Sequence, residues 1–147
     1  MKKFVICDID GTLANIDHRV HFLKDKPIDW EAFYRDTDKD KLIKPIAELV
    51  HVLSRTYQIV FLTGRSENER EMTISWLRSH NADVNNSELI MRKKDDHRGD
   101  QIVKLERAME EGLVPQRVAF VLEDRNRVVK AWREAGYTCL QVAEGDF

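Results

Sequence analysis

Cysteine is scarce in this chain: two in 147 residues, Cys7 and Cys139, each inside an apolar strand-like run. Residues so placed read as buried free thiols rather than a disulfide. Long apolar stretches are missing too, since none approaches the ~20 residues of a membrane span. Lys2 and Lys3 precede an apolar run, but it is too short for a signal peptide and no cleavage site follows. The chain is therefore expected in the cytoplasm, with no membrane partner. Nor does one sign of charge dominate. With 24 Lys and Arg against 26 Asp and Glu, the formal charge is −2, so contact with nucleic acid would need a local basic patch. There is no internal repeat and no low-complexity tract. What remains, 42% hydrophobic and 34% charged, is a globular composition, expected to form one domain over residues 1–147.

The most informative stretch is Phe4-Val5-Ile6-Cys7-Asp8-Ile9-Asp10-Gly11-Thr12. Its apolar, β-branched start reads as a buried strand. Gly11 frees the backbone to turn, so Asp8 ends the strand while Asp10 sits in the loop. Both carboxyls should be ionised at neutral pH. Two such charges about 4 Å apart repel by roughly 4 kcal/mol at an effective dielectric of ~20. A cation removes that cost, and Mg2+ favours one or two carboxylates with phosphate and water. An EF-hand is excluded, because its twelfth position would be Arg19 rather than Glu.

Residues 15–41 read as a small cap-like insertion after the first strand. Trp30, Phe33 and Tyr34 have helical spacing within it and predict a short amphipathic helix from about Asp29. It would serve as a packed flap or as a cover for substrate. Pro45 opens a helix with Ile46, Leu49, Val50 and Leu53 on one face. Tyr57 to Leu62 is a second buried strand, ending in Thr63-Gly64-Arg65. Ser66 and Glu69 have capping-box spacing, so a helix should begin there, carry Met72, Ile74, Trp76 and Leu77, and fray around His80 and Asn81. A hydroxyl and backbone amides ahead of a helix N-terminus form an anion site. Glu88 to Met91 is a possible third strand, followed by the charged run Arg92 to Asp100. The next helix, with Asp100 as its expected cap, turns Ile102, Val103 and Leu105 inward and stops at Gly112. Its Lys104 gains nothing from the helix dipole, which suits a functional lysine. Arg117 to Leu122 forms a further strand ending in Glu123-Asp124. A helix with Val128, Val129 and Trp132 and a last strand over Tyr137 to Val142 complete the chain.

Alternating strands and helices predict an α/β fold, a doubly wound parallel sheet covered on both faces. In such sheets the carboxyl ends of the strands share one edge, where ligands bind. Three strands here end in polar residues: Asp8 with Asp10, Thr63, and Glu123 with Asp124. Buried acids are costly unless a cation or hydrogen bonds offset them, so the set reads as a metal-assisted phosphate site.

The arrangement resembles the haloacid-dehalogenase superfamily, with Asp8-Ile9-Asp10-Gly11-Thr12, Thr63, Lys104 and Glu123-Asp124 similar to its four motifs. Within it, the chain resembles the 3′-phosphatase domain of phage-type polynucleotide kinase–phosphatases. Thr63-Gly64-Arg65, the run Asp100 to Lys104, Asp124-Arg125 with Val128-Val129, and the ending Cys139 to Phe147 carry that likeness. Glu123 stands where that family usually has Asp. No G-x-x-x-x-G-K-[ST] occurs, so this chain is expected to lack the kinase domain.

The resemblance implies a phosphomonoesterase working through an aspartyl-phosphate. Asp8 would be the nucleophile and Asp10 the general acid and base. Thr63 and Lys104 would hold the phosphoryl oxygens, and Mg2+ would sit on Asp8, the Asp10 carbonyl and Asp124, with Glu123 assisting. Gly64, Arg65, Arg92 and Asp100 would complete the substrate site. Two substrates stay open: a 3′-phosphorylated DNA or RNA end, with Arg92, Lys93, Lys94 and Arg98 on the backbone, or a nucleotide or other small phosphomonoester. A phospho-receiver module, which signals without turnover, is the rival outside enzymes.

Overall fold

Five strands form one parallel sheet: β1 (Phe4–Cys7), β2 (Gln58–Ser66), β3 (Leu89–Arg92), β4 (Val118–Arg125) and β5 (Cys139–Gly145). Their spatial order in the computed structural model, which describes residues 2–80, 82, 84–85 and 88–147, is β3-β2-β1-β4-β5. The chain runs outward from β1 on one side, then returns to build the other side. This places the reversal of strand order at β1, where open α/β sheets bind their ligands.

Alternation along each strand sorts the core into two layers. Val5, Cys7, Ile59 and Phe61 face a cluster that contains Trp76 and Leu77 of α3 (Arg70–Ser79) and takes in Ile46, Val50 and Leu53 of α2 (Lys44–Leu53). Ile6, Val60 and Leu62 face the opposite cluster. There they meet Ala108 of α4 (Asp100–Glu110) and Val128, Val129 and Trp132 of α5 (Asn126–Glu134). With both faces covered, the strands read as continuous apolar runs. Each fully buried large side chain contributes roughly 1.5–3 kcal/mol.

The fold is the expected α/β sheet, but β2 and β4 run further than their apolar stretches. β2 continues through Thr63, Gly64 and Arg65, and β4 through Glu123 and Asp124, because their backbones stay in the ladder. The pairing is broken at those same places: the β2–β3 register shifts between Thr63 and Ser66, and the β4–β5 register between Glu123 and Arg125. Such irregularities re-aim side chains at a sheet's rim. Two helix faces also differ from their reading. Leu49 and Ile102 point to solvent, and Ala47 packs inward on α2. Gly99, not Asp100, is the cap residue of α4, with Asp100 in its first turn. Ser66 caps a single 3-10 turn, Glu67–Glu69, that leads into α3. Asn81, at the expected fraying end of α3, lies outside the described residues.

Between β1 and α2, the two-residue strands Ala14–Asn15 and Lys41–Leu42 pair antiparallel and pinch the base of the 15–41 segment. Within it, Asp29 caps the short helix α1 (Trp30–Arg35) by accepting a hydrogen bond from the Ala32 amide at 3.0 Å. That segment stands over the carboxyl edge of the sheet, where Trp30, Phe33 and Tyr34 line the same small pocket as Asp8.

Candidate active site

Asp8 is the first residue past β1 and is buried, its amide hydrogen-bonded to the Leu122 carbonyl at 3.0 Å. The chain then folds back sharply: the amides of Thr12, Leu13 and Ala14 all reach the Ile9 carbonyl, at 3.2, 2.9 and 2.9 Å. Gly11 makes this possible with φ +84°, and any Cβ there would collide with the Asp124 carboxylate. The loop thus presses Thr12 between two acids. Its hydroxyl lies 3.0 Å from Asp8 Oδ2 and 3.3 Å from Asp124 Oδ1.

Lys104 reaches the same spot from the second turn of α4. Its Nζ donates to Asp8 Oδ1 and to Glu123 Oε2, both at 2.7 Å. Glu123 turns its other oxygen to the amides of Asp124 and Arg125, at 3.2 and 3.3 Å. Asp8, Glu123 and Asp124 bring carboxylate oxygens within 4.8 Å of one another, all buried. Two of these three carboxylates share one ammonium, and the third, Asp124, is met instead by the Thr12 hydroxyl. Burial, and then the neighbouring Glu123, push the Asp8 carboxyl well above its usual range and the Asp124 carboxyl up to about 7. Burial works to lower the Lys104 ammonium, but Asp8 and Glu123 outweigh it and hold it charged. The all-oxygen donor set and its excess negative charge fit a hard divalent cation.

The Asp10 side chain belongs to a different cluster. It accepts from Arg65 Nη2 at 2.5 Å and Arg19 Nη2 at 2.8 Å. Both arginines are buried and are held in turn by Asp40, which takes Arg19 Nε at 2.8 Å and Nη2 at 2.5 Å and Arg65 Nη2 at 3.3 Å. Burial would raise the Asp10 carboxyl, but Arg65 and Arg19 overcome it and hold it far below the usual carboxylate range. The Asp10 side chain is therefore not among the clustered metal-ligand oxygens. Arg65 lines the pocket wall, yet its guanidinium is occupied by Asp10, Thr73 and Asp40.

Thr63 is buried and lines the pocket, its hydroxyl accepting from the Arg65 amide at 3.2 Å. At Gly64 a Cβ would strike the Asp100 carboxylate. Asp100 accepts from Arg92 through one carboxylate oxygen and from Arg125, at 2.8 Å, through the other. Arg92 also donates to the carbonyls of Gly64, at 2.7 Å, and Asp96, at 3.0 Å, so it ties the 92–100 loop together. Arg98 is paired with Asp96 and Glu106, and Lys93 with Glu110.

Arg19, Asp40 and Thr12 are the site residues the sequence reading left without a role. Arg19 and Asp40 come from the polar 15–41 segment and its edge, where no periodicity separates a buried charge from a solvated one. The pocket over Asp8, Thr63 and Lys104 is about 30 Å³, and it adjoins a cavity of about 710 Å³ beside α1 and the 92–100 loop.

The family model for the polynucleotide kinase PNKP phosphatase domain matches residues 2–147. A chain of the Pnkp1/Rnl/Hen1 complex is similar at 35% identity with a TM-score of 0.80, over 100% of this chain and 48% of that one. One from the Pnkp1/Rnl/Hen1 RNA repair complex is similar at 34% identity with a TM-score of 0.81, over 99% of this chain and 44% of that one. This chain thus spans less than half of either. CbbY from Rhodobacter sphaeroides in complex with phosphate, at 17% identity, shares the fold with a TM-score of 0.63, over 100% of this chain and 88% of that one.

Proposed function

The chain belongs to the polynucleotide kinase PNKP phosphatase-domain family, a phosphatase family within the haloacid-dehalogenase superfamily, and from that premise we propose that it removes 3′-phosphates from nucleic-acid ends. Membership in a phosphatase family sets the phospho-receiver reading aside. One observation carries the substrate: the pocket over Asp8 has room for little more than a phosphoryl group, so whatever bears the phosphate must lie in the open cavity outside. A mononucleotide would leave much of that cavity unfilled; a polymer end would continue through it.

In the proposed reaction, Asp8 attacks phosphorus and the bond to the leaving oxygen breaks, giving an aspartyl-phosphate. Lys104 is the charged donor nearest to Asp8 and meets the phosphoryl oxygens as charge develops on them, with the Thr63 hydroxyl on the pocket wall. Glu123 holds Lys104 in place and thereby keeps the ammonium aimed at the site. Asp10 gives a proton to the leaving oxygen and takes one from the water that hydrolyses the intermediate. Its resting state between two guanidiniums is the ionised one, which suits the second step directly. The first requires the carboxyl to turn toward the leaving oxygen and be protonated. Asp8 and Asp124, with the Asp10 carbonyl and assistance from Glu123, are the residues that would hold Mg2+, which supplies charge neutralisation when bound.

Residues 1–147 act in this reading as one phosphatase domain, with 15–41 as its cap. No helix among the described residues is long and apolar enough to cross a membrane, and Cys7 and Cys139 are free thiols. We place the protein in the cytoplasm, with a phosphorylated nucleic-acid end as its partner. Phosphate release from a 3′-phosphorylated oligonucleotide, a 3′-mononucleotide, a 5′-mononucleotide and an aryl phosphate tests this. The 3′-phosphorylated oligonucleotide should be turned over fastest per unit concentration. Preference for the 5′-mononucleotide would overturn the proposal.

A further inference from the structure

Trp30 is 49% exposed although it stands at the mouth of the catalytic pocket. Its indole is close to parallel with the Tyr34 ring, at 20° and 6.1 Å between centroids, and meets the Phe33 ring edge-on at 6.2 Å, which still leaves about half of the residue exposed. Trp30, Tyr34, Asp100 and Arg125 line both the small pocket and the 710 Å³ cavity, so the two lie side by side. The cavity's cations divide into two groups. Arg92, Arg98, Arg125 and Lys93 are paired with acids of the chain. Arg35 and Arg127 are exposed and make no hydrogen bond or ion pair among the described residues. Arg127 also sits in the first turn of α5, the end of a helix that disfavours a cation. Among the described residues no acid is paired with it there.

Resting on the 3′-end reading above, we infer that this cavity is a track for the nucleotides preceding the terminal phosphate. The base next to the terminal one stacks on Trp30, and backbone phosphates further along meet Arg127 and Arg35. An exposed ring beside unpaired guanidiniums is the combination that holds single strands without reading their sequence. It also removes the difficulty posed by the chain's net charge of −2, because the cations needed are the two left over locally. The charged run 92–100 is not that patch, since its arginines are already committed to acids and carbonyls.

The test is a length series of 3′-phosphorylated substrates of one to five nucleotides, run in deoxyribo and ribo forms. On the wild-type protein kcat/KM should rise roughly 10-fold between one and three nucleotides and then level off. An abasic site at the penultimate position should return the trinucleotide to about the mononucleotide level. Trp30→Ala should lower kcat/KM on the trinucleotide about 5- to 10-fold more than on the mononucleotide, and Trp30→Phe should restore most of the difference. Arg127→Glu should flatten the salt dependence on the pentanucleotide by about one phosphate contact. A response confined to the ribo series would make the track RNA-specific while leaving it in place. A flat length series, or a Trp30→Ala loss equal on all lengths, would overturn the track and leave 3′-phosphatase activity standing. Turnover of aryl phosphate with none on any 3′-phosphorylated nucleotide would overturn the underlying reading instead, and the track with it.

Discussion

Asp8 and Asp10 are two residues apart in one loop, yet they occupy opposite electrostatic worlds. Around Asp8 negative charge is in excess: Glu123 and Asp124 crowd it and Lys104 alone opposes them. Around Asp10 positive charge wins, with Arg19 and Arg65 both on its carboxylate. Burial penalises both acids, and the neighbours then drive them apart, Asp8 upward and Asp10 downward. Environments that separate two carboxyls in this way assign them different chemistry. The half around Asp8 is short of a cation, and the half around Asp10 is complete within the protein.

The strongest way to break this division is to remove either acid. Asp8→Asn should lose activity by about 10⁵-fold or more, as for nucleophiles in general, measured by phosphate release. Asp10→Asn should cost roughly 10²- to 10⁴-fold on an oligonucleotide, whose leaving alkoxide needs a proton. With an aryl phosphate the same variant should show a stoichiometric burst and then stall, because a good leaving group needs no acid while hydrolysis of the intermediate still needs a base. Rapid-quench kinetics separates the two phases.

Next is the arginine–aspartate cluster. Arg19→Met leaves buried Asp40 and Asp10 short of a partner and should destabilise the fold by about 3–5 kcal/mol, read as a lowered denaturation midpoint in urea. The smallest effect has the opposite sign. Asp124→Asn relieves crowding and should raise the metal-free melting temperature by about 2–4 °C, on the order of 1 kcal/mol. In the folded chain Asp124 is pushed up to about 7 by burial and Glu123, against ~3.9 when unfolded. The folded state thus binds the extra proton, and metal-free wild type loses stability as pH rises through 7. The gain from Asp124→Asn should accordingly be full at pH 8 and small near pH 4. Mg2+ should raise the melting temperature of wild type and leave Asp124→Asn almost unmoved.

The sheet was legible because its signal is local: apolar runs of strand length, each closing in polar residues. Asp8, Thr63, Glu123 and Asp124 could be singled out because the fold class alone brings strand ends to one edge, whereas Lys104, on a helix, was assigned by the family resemblance. How far the strands continue was not legible. Polar side chains at Thr63 and Glu123 look like loop, while their backbones remain paired up to register breaks that only the fold creates. The partners of Asp10 were illegible for another reason. Arg19 and Asp40 are buried only because they find each other across 21 positions, and a sequence gives no sign of which charges do so. Leu49 and Ile102 illustrate the converse, apolar residues at helical spacing that face solvent.

The most direct test asks whether phosphate is carried by Asp8. Wild-type protein mixed with a 3′-phosphorylated oligonucleotide is quenched in acid within one turnover, reduced with borohydride, digested and read by mass spectrometry. An acyl phosphate on Asp8 should appear as homoserine at position 8, absent without substrate and absent from Asp8→Asn. Phosphate released at the full single-turnover rate with position 8 unmodified, or with the phosphoryl group on another residue, would contradict the account.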